Sequence, residues 1–204
     1  MKILLLISYI FLIVIPFSCD KKNDKDNISF FIKNDPNLAI EKLNKKKDSI
    51  EKFHMLGVTY ALLKKYDKSE KFYKKALKLD KKNVDIILNY SKLKAKQKNF
   101  KEALELIRKI KKKTANVKIT LAQLYLLLNS PDRAIDALKD LNKEKLSLEQ
   151  MKKIIYIYDQ TKSRYLMAEM YEYYIDKNDN KDENLRIKYI IEKLRIWGEK
   201  WNTF

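Results

Sequence analysis

Residues 50–83 read IEKFHMLGVTYALLKKYDKSEKFYKKALKLDKKN. Within them stand Leu56-Gly57, Tyr60, Ser69, Tyr73, Ala76-Leu77 and the ending Leu79-Asp80, and the rest of the chain echoes them. With Ser69 as the reference, small residues recur at Ala103 in Asn99-Phe100-Lys101-Glu102-Ala103-Leu104, at Ala134 in Pro131-Asp132-Arg133-Ala134-Ile135, and at Ala168 in Tyr165-Leu166-Met167-Ala168-Glu169. The steps are 34, 31 and 34 residues. A period of this size marks a stack of similar units, each burying its apolar face against the next. The short middle step predicts a trimmed turn around residues 111–116. The equivalent position twelve residues earlier runs Gly57, Ser91, Ala122 and Tyr156, so the last copy is the least regular.

Composition says what the units are made of. Gly57 and Gly198 are the chain's two glycines, and Pro16, Pro36 and Pro131 its three prolines. That is too little turn chemistry for a β-sandwich or an α/β fold, and it favours helices joined by short polar turns. Hydrophobic residues make up 46% of the 204, enough for a continuous core. Helix starts are legible at Asp35-Pro36 and at Ser130-Pro131-Asp132, each pairing an N-cap residue with a proline in the first turn. Ser147 with Gln150 predicts a capping box, with Leu146 and Met151 as its hydrophobic staple.

On these residues the chain resembles the tetratricopeptide repeat (TPR) family, with Lys81 standing where that repeat usually carries proline. The resemblance covers roughly residues 35–177, including Asp35-Pro36-Asn37-Leu38-Ala39-Ile40-Glu41-Lys42-Leu43 as half of a degenerate repeat. It implies an all-α fold, a right-handed superhelical α-solenoid of helix pairs, over residues 28–177. It also implies a groove lined by the first helix of each pair, where a partner's peptide or helix would lie. Carried over residue by residue, the groove positions are His54 and Val58, Leu88 and Lys92, Ile119 and Gln123, and Lys153 and Ile157. Their mixed apolar and basic character suits an amphipathic or acidic segment. A core role for the apolar members is the alternative. The Lys and Asn clamp with which some family members hold a carboxyl terminus is not reproduced.

After the polar break Asn178-Asp179-Asn180, residues 178–204 form a last helix that places Ile187, Ile190, Leu194, Trp197 and Trp201 on one face. The expectation is a capping helix whose stripe covers the open end of the array. Trp197 and Trp201, beside Lys200, also suit a second interface.

The amino terminus carries a different kind of message. Lys2 precedes the apolar residues 3–17, then Ser18, Cys19 and the polar residues 20–27, which is the layout of a secretory signal. Its 15 apolar residues fall short of the roughly 20 that span a bilayer, so a permanent transmembrane helix is the weaker reading. Cys19 is the single cysteine, which leaves no internal disulfide. The segment is similar to a bacterial lipoprotein signal, with Ser18 as the small residue before a lipid-bearing Cys19, although Pro16 and Phe17 depart from the usual box. The implied organisation is a signal peptide over 1–18, a lipidated Cys19 with a flexible tether over 19–27, and a home in the cell envelope.

The formal charge of +18 arises from 45 basic against 27 acidic residues. Asp and Glu are interspersed among the Lys, so a solvated surface, or attraction to anionic lipid or an acidic partner, is expected rather than nucleic-acid binding. The chemistry inventory is thin. With one histidine and one cysteine, neither a zinc site nor a nucleophilic triad assembles, and no glycine-rich phosphate loop exists. Asp132 with Asp136 and Glu169 with Glu172 fall on common helix faces, where carboxylates usually pair with Lys or Arg. No metal, cofactor or small-molecule substrate is expected. The chain reads as a non-enzymatic scaffold for a protein partner. It is similar in outline to the repeat lipoproteins of outer-membrane β-barrel, pilus or cell-wall assembly complexes. A cell-wall-acting enzyme is the third and least supported reading.

Overall fold

The computed structural model describes residues 28–178 and 183–201, and all regular structure among them is helical. Cys19 and the segment read as signal and tether lie outside the described residues. Among the described residues eleven α-helices follow in order: α1 (Ile28–Asn34), α2 (Pro36–Asn44), α3 (Ile50–Leu62), α4 (Tyr66–Leu79), α5 (Val84–Lys96), α6 (Phe100–Arg108), α7 (Ala115–Leu127), α8 (Pro131–Leu138), α9 (Leu148–Gln160), α10 (Arg164–Lys177) and α11 (Glu183–Trp201). A 3-10 turn at Lys143–Lys145 links α8 to α9. The chain divides into two compact units that part between Leu106 and Ile107.

In the first unit α1 packs on α2, α2 on α3, α3 on α4, and α5 on both α3 and α4. In the second, α7 packs on α8, α9 on α7, α8 and α10, and α11 on α10. Contacts between neighbours in sequence are what a stack of helical hairpins requires. The fold is thus an α-solenoid of tetratricopeptide-type helix pairs.

The first helices α3, α5, α7 and α9 are each 13 residues long, and each ends in the same turn. After α3 the amide of Lys65 donates to the Tyr60 carbonyl and that of Lys64 to Ala61. The same pair of bonds closes α5, α7 and α9 through Lys98 and Asn99, Asn129 and Ser130, and Lys162 and Ser163. This is the Schellman arrangement, whose penultimate residue must be left-handed. Lys64, Lys98, Asn129 and Lys162 stand there with φ of 57°, 64°, 53° and 56°. Lysine and asparagine thus occupy the positions that usually take glycine, which is how a chain with two glycines makes four such turns.

The small residues do what the periodicity requires. Ser69, Ala103 and Ala134 have no exposed surface, and Ala168 is buried. A Cβ built on Gly57 would lie 2.7 Å from Cε1 of Tyr73, so the glycine is needed for close approach of α3 and α4. The Ser69 hydroxyl donates to the Gly57 carbonyl at 2.7 Å, fixing the same crossing. Behind it Glu70 accepts from Tyr90 at 2.9 Å and pairs at 2.9 Å with the buried Lys94, which also meets Glu102 at 2.8 Å. Burial opposes ionisation of Glu70, but hydrogen bonds from Lys74, Lys94 and Tyr90 outweigh it and hold the carboxyl down at about 2. The network ties α4, α5 and α6 together.

Two expected starts are observed in full. The Asp35 carboxylate accepts from the Leu38 amide at 3.0 Å. Ser147 and Gln150 form the reciprocal capping box, with Leu146 and Met151 buried in one cluster. At the link into α5, Asp80 accepts from the Lys82 amide and Asn83 caps Ile86, so side chains shape the turn in which Lys81 replaces the usual proline.

Three local expectations are corrected. The short repeat is not made by trimming the turn, since α6 has 9 residues where α4 has 14, and the link after it, 109–114, is longer than 80–83. Ser130 precedes Pro131 as expected, yet its hydroxyl makes no cap. Ser130 closes the Schellman turn, and its Oγ donates back to the Leu128 carbonyl at 3.4 Å. The last helix packs on α10, but through a different face from the one expected. Ile187 and Ile190 are 48% and 46% exposed, while Ile196 is buried and Tyr189 packs against the core of the second unit. Tyr189 wins because its ring meets Tyr171 edge-on while its hydroxyl donates to Glu172 at 2.6 Å, satisfying both ends of the side chain.

Candidate functional site

The candidate surfaces are those of the first helices, and each unit has its own. In the first unit α3 and α5 lie side by side. His54 on α3 reaches Asn89 on α5, with Nε2 2.8 Å from the amide nitrogen, and its ring leans on Tyr73. Burial lowers the imidazole's pKa from its ordinary 6.5, against a smaller opposing pull from Asp85. His54 is therefore a half-buried imidazole that bridges two helices. Val58 is half-buried and touches both core clusters of this unit. Leu88 is buried, whereas Lys92 is half-buried. One turn further along α5, Lys96 has its pKa lowered by burial and by Lys64. The face is acidic at Asp85, polar in the middle and basic at Lys92 and Lys96.

In the second unit α7 and α9 are adjacent. Gln150 on α9 donates to Asn116 on α7 at 2.7 Å. Gln123 is half-buried and Lys153 half-buried, paired with Glu149 at 2.7 Å. Ile119 and Ile157 are 3% and 0% exposed and belong to the core cluster that also holds Met151, Ile154 and Tyr171. The core alternative holds for these two isoleucines and for Leu88, 5% exposed, so all three offer a partner almost no surface.

The structure thus brings His54, Val58 and Lys92 to one face of the first unit, and Gln123 and Lys153 to the first helices of the second. Asn89, Asp85, Asn116 and Gln150 flank these positions; none was assigned to a groove from sequence, where Gln150 was read only as part of a capping box. The signal for Asn89 was there, as the one polar break in Ile86-Ile87-Leu88-Asn89. Trp197 and Trp201 fall on α11, but their side chains lie outside the described residues.

Three of the four carboxylates in these pairs meet lysines. Asp136 meets Lys139 at 2.5 Å, Glu169 meets Lys143, and Glu172 meets Lys193 at 2.6 Å. Among the described residues no cluster of His, Cys, Asp or Glu could hold a metal ion, and no helix is long and apolar enough to cross a membrane.

Comparison with known proteins agrees with the geometry. The tetratricopeptide repeat family matches residues 61–117, the segment that runs from the end of α3 into α7. Among solved structures, a thermophilic TPR protein of Thermus thermophilus is similar at 14% identity and a TM-score of 0.64, over 82% of this chain and 95% of that one. MamA (residues 41 to the end) from Desulfovibrio magneticus is similar at 17% identity and a TM-score of 0.55, over 78% and 95%. Likeness at these identities is likeness of fold. No curated protein matches the chain in sequence.

Proposed function

We propose that the chain is a non-enzymatic, membrane-anchored scaffold of the bacterial cell envelope, held by lipid on Cys19 and recruiting a protein through the first-helix faces of its repeats. The observation that carries the binding half is the face of the first unit. There, polar and basic groups from α3 and α5 (His54, Asn89, Lys92 and Lys96) share one partly exposed surface above a closed apolar core. A face of this kind takes an amphipathic or acidic segment laid across parallel helices. The anchoring half rests on sequence, namely one charge, 15 apolar residues, a small residue and a lone cysteine.

Each half has its own test. A photo-crosslinking residue placed at Val58, Lys92 or Gln123 in cells yields discrete protein adducts, and one placed at the exposed Lys71 or Lys78 of α4 does not. Equal adducts from α4, or none from the first helices, overturn the binding half. Metabolic labelling with a fatty-acid analogue marks the wild-type chain and not Cys19→Ala; label retained by the variant, or absent from both, overturns the anchor.

A further inference from the structure

Among the described residues, nothing packs on the outward apolar face of helix α11. The helix packs on α10, with Tyr189 against the core of the second unit, Ile196 buried and the Glu192 side chain 13% exposed. On the opposite side Ile187, Ile190 and Ile191 stand 48%, 46% and 42% exposed on consecutive turns. The sequence continues the same spacing with Leu194, Trp197 and Trp201. At 100° per residue, Arg186 and Lys193 border this face on one side, and Lys188 and Arg195 border it on the other. All four are exposed. Lys193 and Arg195 lean on Glu172 and Glu192 without being buried by them. Glu192 is the one carboxylate between Asn184 and Ile196, and it is turned inward. The outward half of the helix is therefore apolar at its centre, basic along both edges and free of acid over those turns.

We infer that this face of α11 docks flat on an anionic lipid surface, with the isoleucines at the acyl boundary and the four basic side chains reaching headgroup phosphates. The two-sided basic border is what such a surface selects, because long cationic side chains can lie along the apolar face and return their charge to the headgroup layer. A second copy of this chain is a poor occupant. It would set Arg186, Lys188, Lys193 and Arg195 against their own kind in a molecule already at +18. The inference does not depend on Cys19, since it concerns where α11 sits and not what holds the chain.

Trp197 and Trp201 are the chain's two tryptophans, so tryptophan emission, excited at wavelengths that tyrosine does not absorb, reports on α11 alone. The full chain is mixed with vesicles of phosphatidylcholine, or of phosphatidylcholine and phosphatidylglycerol, with and without brominated acyl chains. With the anionic vesicles emission shifts to the blue and is quenched by bromine; with the neutral ones neither happens. Ile187→Gln/Ile190→Gln/Ile191→Gln, all at exposed positions, abolishes the shift while circular dichroism stays helical. Arg186→Gln/Lys188→Gln leaves the apolar face intact and weakens partition by roughly tenfold or more. A chain that sediments with anionic vesicles while its emission stays unshifted overturns the inference and leaves the lipid anchor standing. Equal quenching in neutral vesicles, or a blue shift that rises with protein concentration in the absence of lipid, also overturns it, the latter in favour of self-association.

Discussion

Gly57 is where the fold is least forgiving at the level of a single atom. Its virtual Cβ meets Cε1 and Cδ1 of Tyr73 at 2.7 and 2.8 Å, and that ring is 2% exposed, walled in by Ala76, Ile86 and Tyr90. A methyl there cannot be relieved by swinging a flexible side chain, so α3 and α4 must separate, weakening the Ser69 bond to the Gly57 carbonyl. Gly57→Ala is expected to cost about 2 kcal/mol, between the gain in helix propensity and the overpacking strain, read as a lowered urea midpoint. His54 makes a second prediction at this scale. Its folded pKa is depressed and its unfolded value is the ordinary 6.5, so both states are neutral above about pH 7.5. As pH falls through 6.5 the unfolded chain takes up the proton first. Stability then drops, by no more than about 1.4 kcal/mol per pH unit, until the folded histidine titrates too. As His54 is the chain's one histidine, His54→Gln should flatten the midpoint between pH 7.5 and 6.0.

Helices in this chain are specified at their ends as much as along their faces. The four Schellman turns place Lys64, Lys98, Asn129 and Lys162 in the left-handed region, where a Cβ is unfavourable and glycine is free. Lys98→Gly is therefore expected to stabilise by about 0.5 to 1 kcal/mol despite the greater freedom glycine gives the unfolded chain. Thermal melting of Lys98→Gly against Lys98→Ala isolates the backbone effect, because the alanine variant should show none of it. These turns also mark the limit of what the sequence disclosed. The hairpins, the small buried positions and the Asp35 and Ser147 caps were legible, because each rests on a local rule that side-chain chemistry spells out. Lysine at a left-handed position was not, since nothing about lysine announces it. Ser130 reads as a cap in isolation, but it is the closing residue of such a turn, and its hydroxyl is directed elsewhere. Of the positions assigned to a groove, His54, Val58, Lys92, Gln123 and Lys153 are at least partly exposed, whereas periodicity alone could not separate Leu88, Ile119 and Ile157 from the core side of the same helices. Helix α11 has two apolar ridges in its sequence, and the Tyr189 contacts with Tyr171 and Glu172 decide which one turns inward.

Within each unit, the contacts between described helices run to the next helix in sequence or the next but one. Stability in such an array is close to a sum of local interfaces, so damage should stay local. Helix α11 meets α10 through Tyr189, which joins the core of the second unit, and through the buried Ile196. Tyr189→Ala/Ile196→Ala strips that contact without touching the first unit, whose core clusters are formed by α1 to α6. Loss of one buried and one half-buried side chain of this size costs a few kcal/mol. Amide hydrogen exchange in α9 and α10 should accelerate by roughly thirtyfold or more, about 2 kcal/mol of opening free energy. Exchange in α3, α4 and α5 should stay within a factor of about two of the wild type, because a nearest-neighbour array transmits little of the loss that far. Equal acceleration in both sets would mean that the chain opens as one cooperative body. The division between Leu106 and Ile107 would then be a feature of geometry without an energetic counterpart.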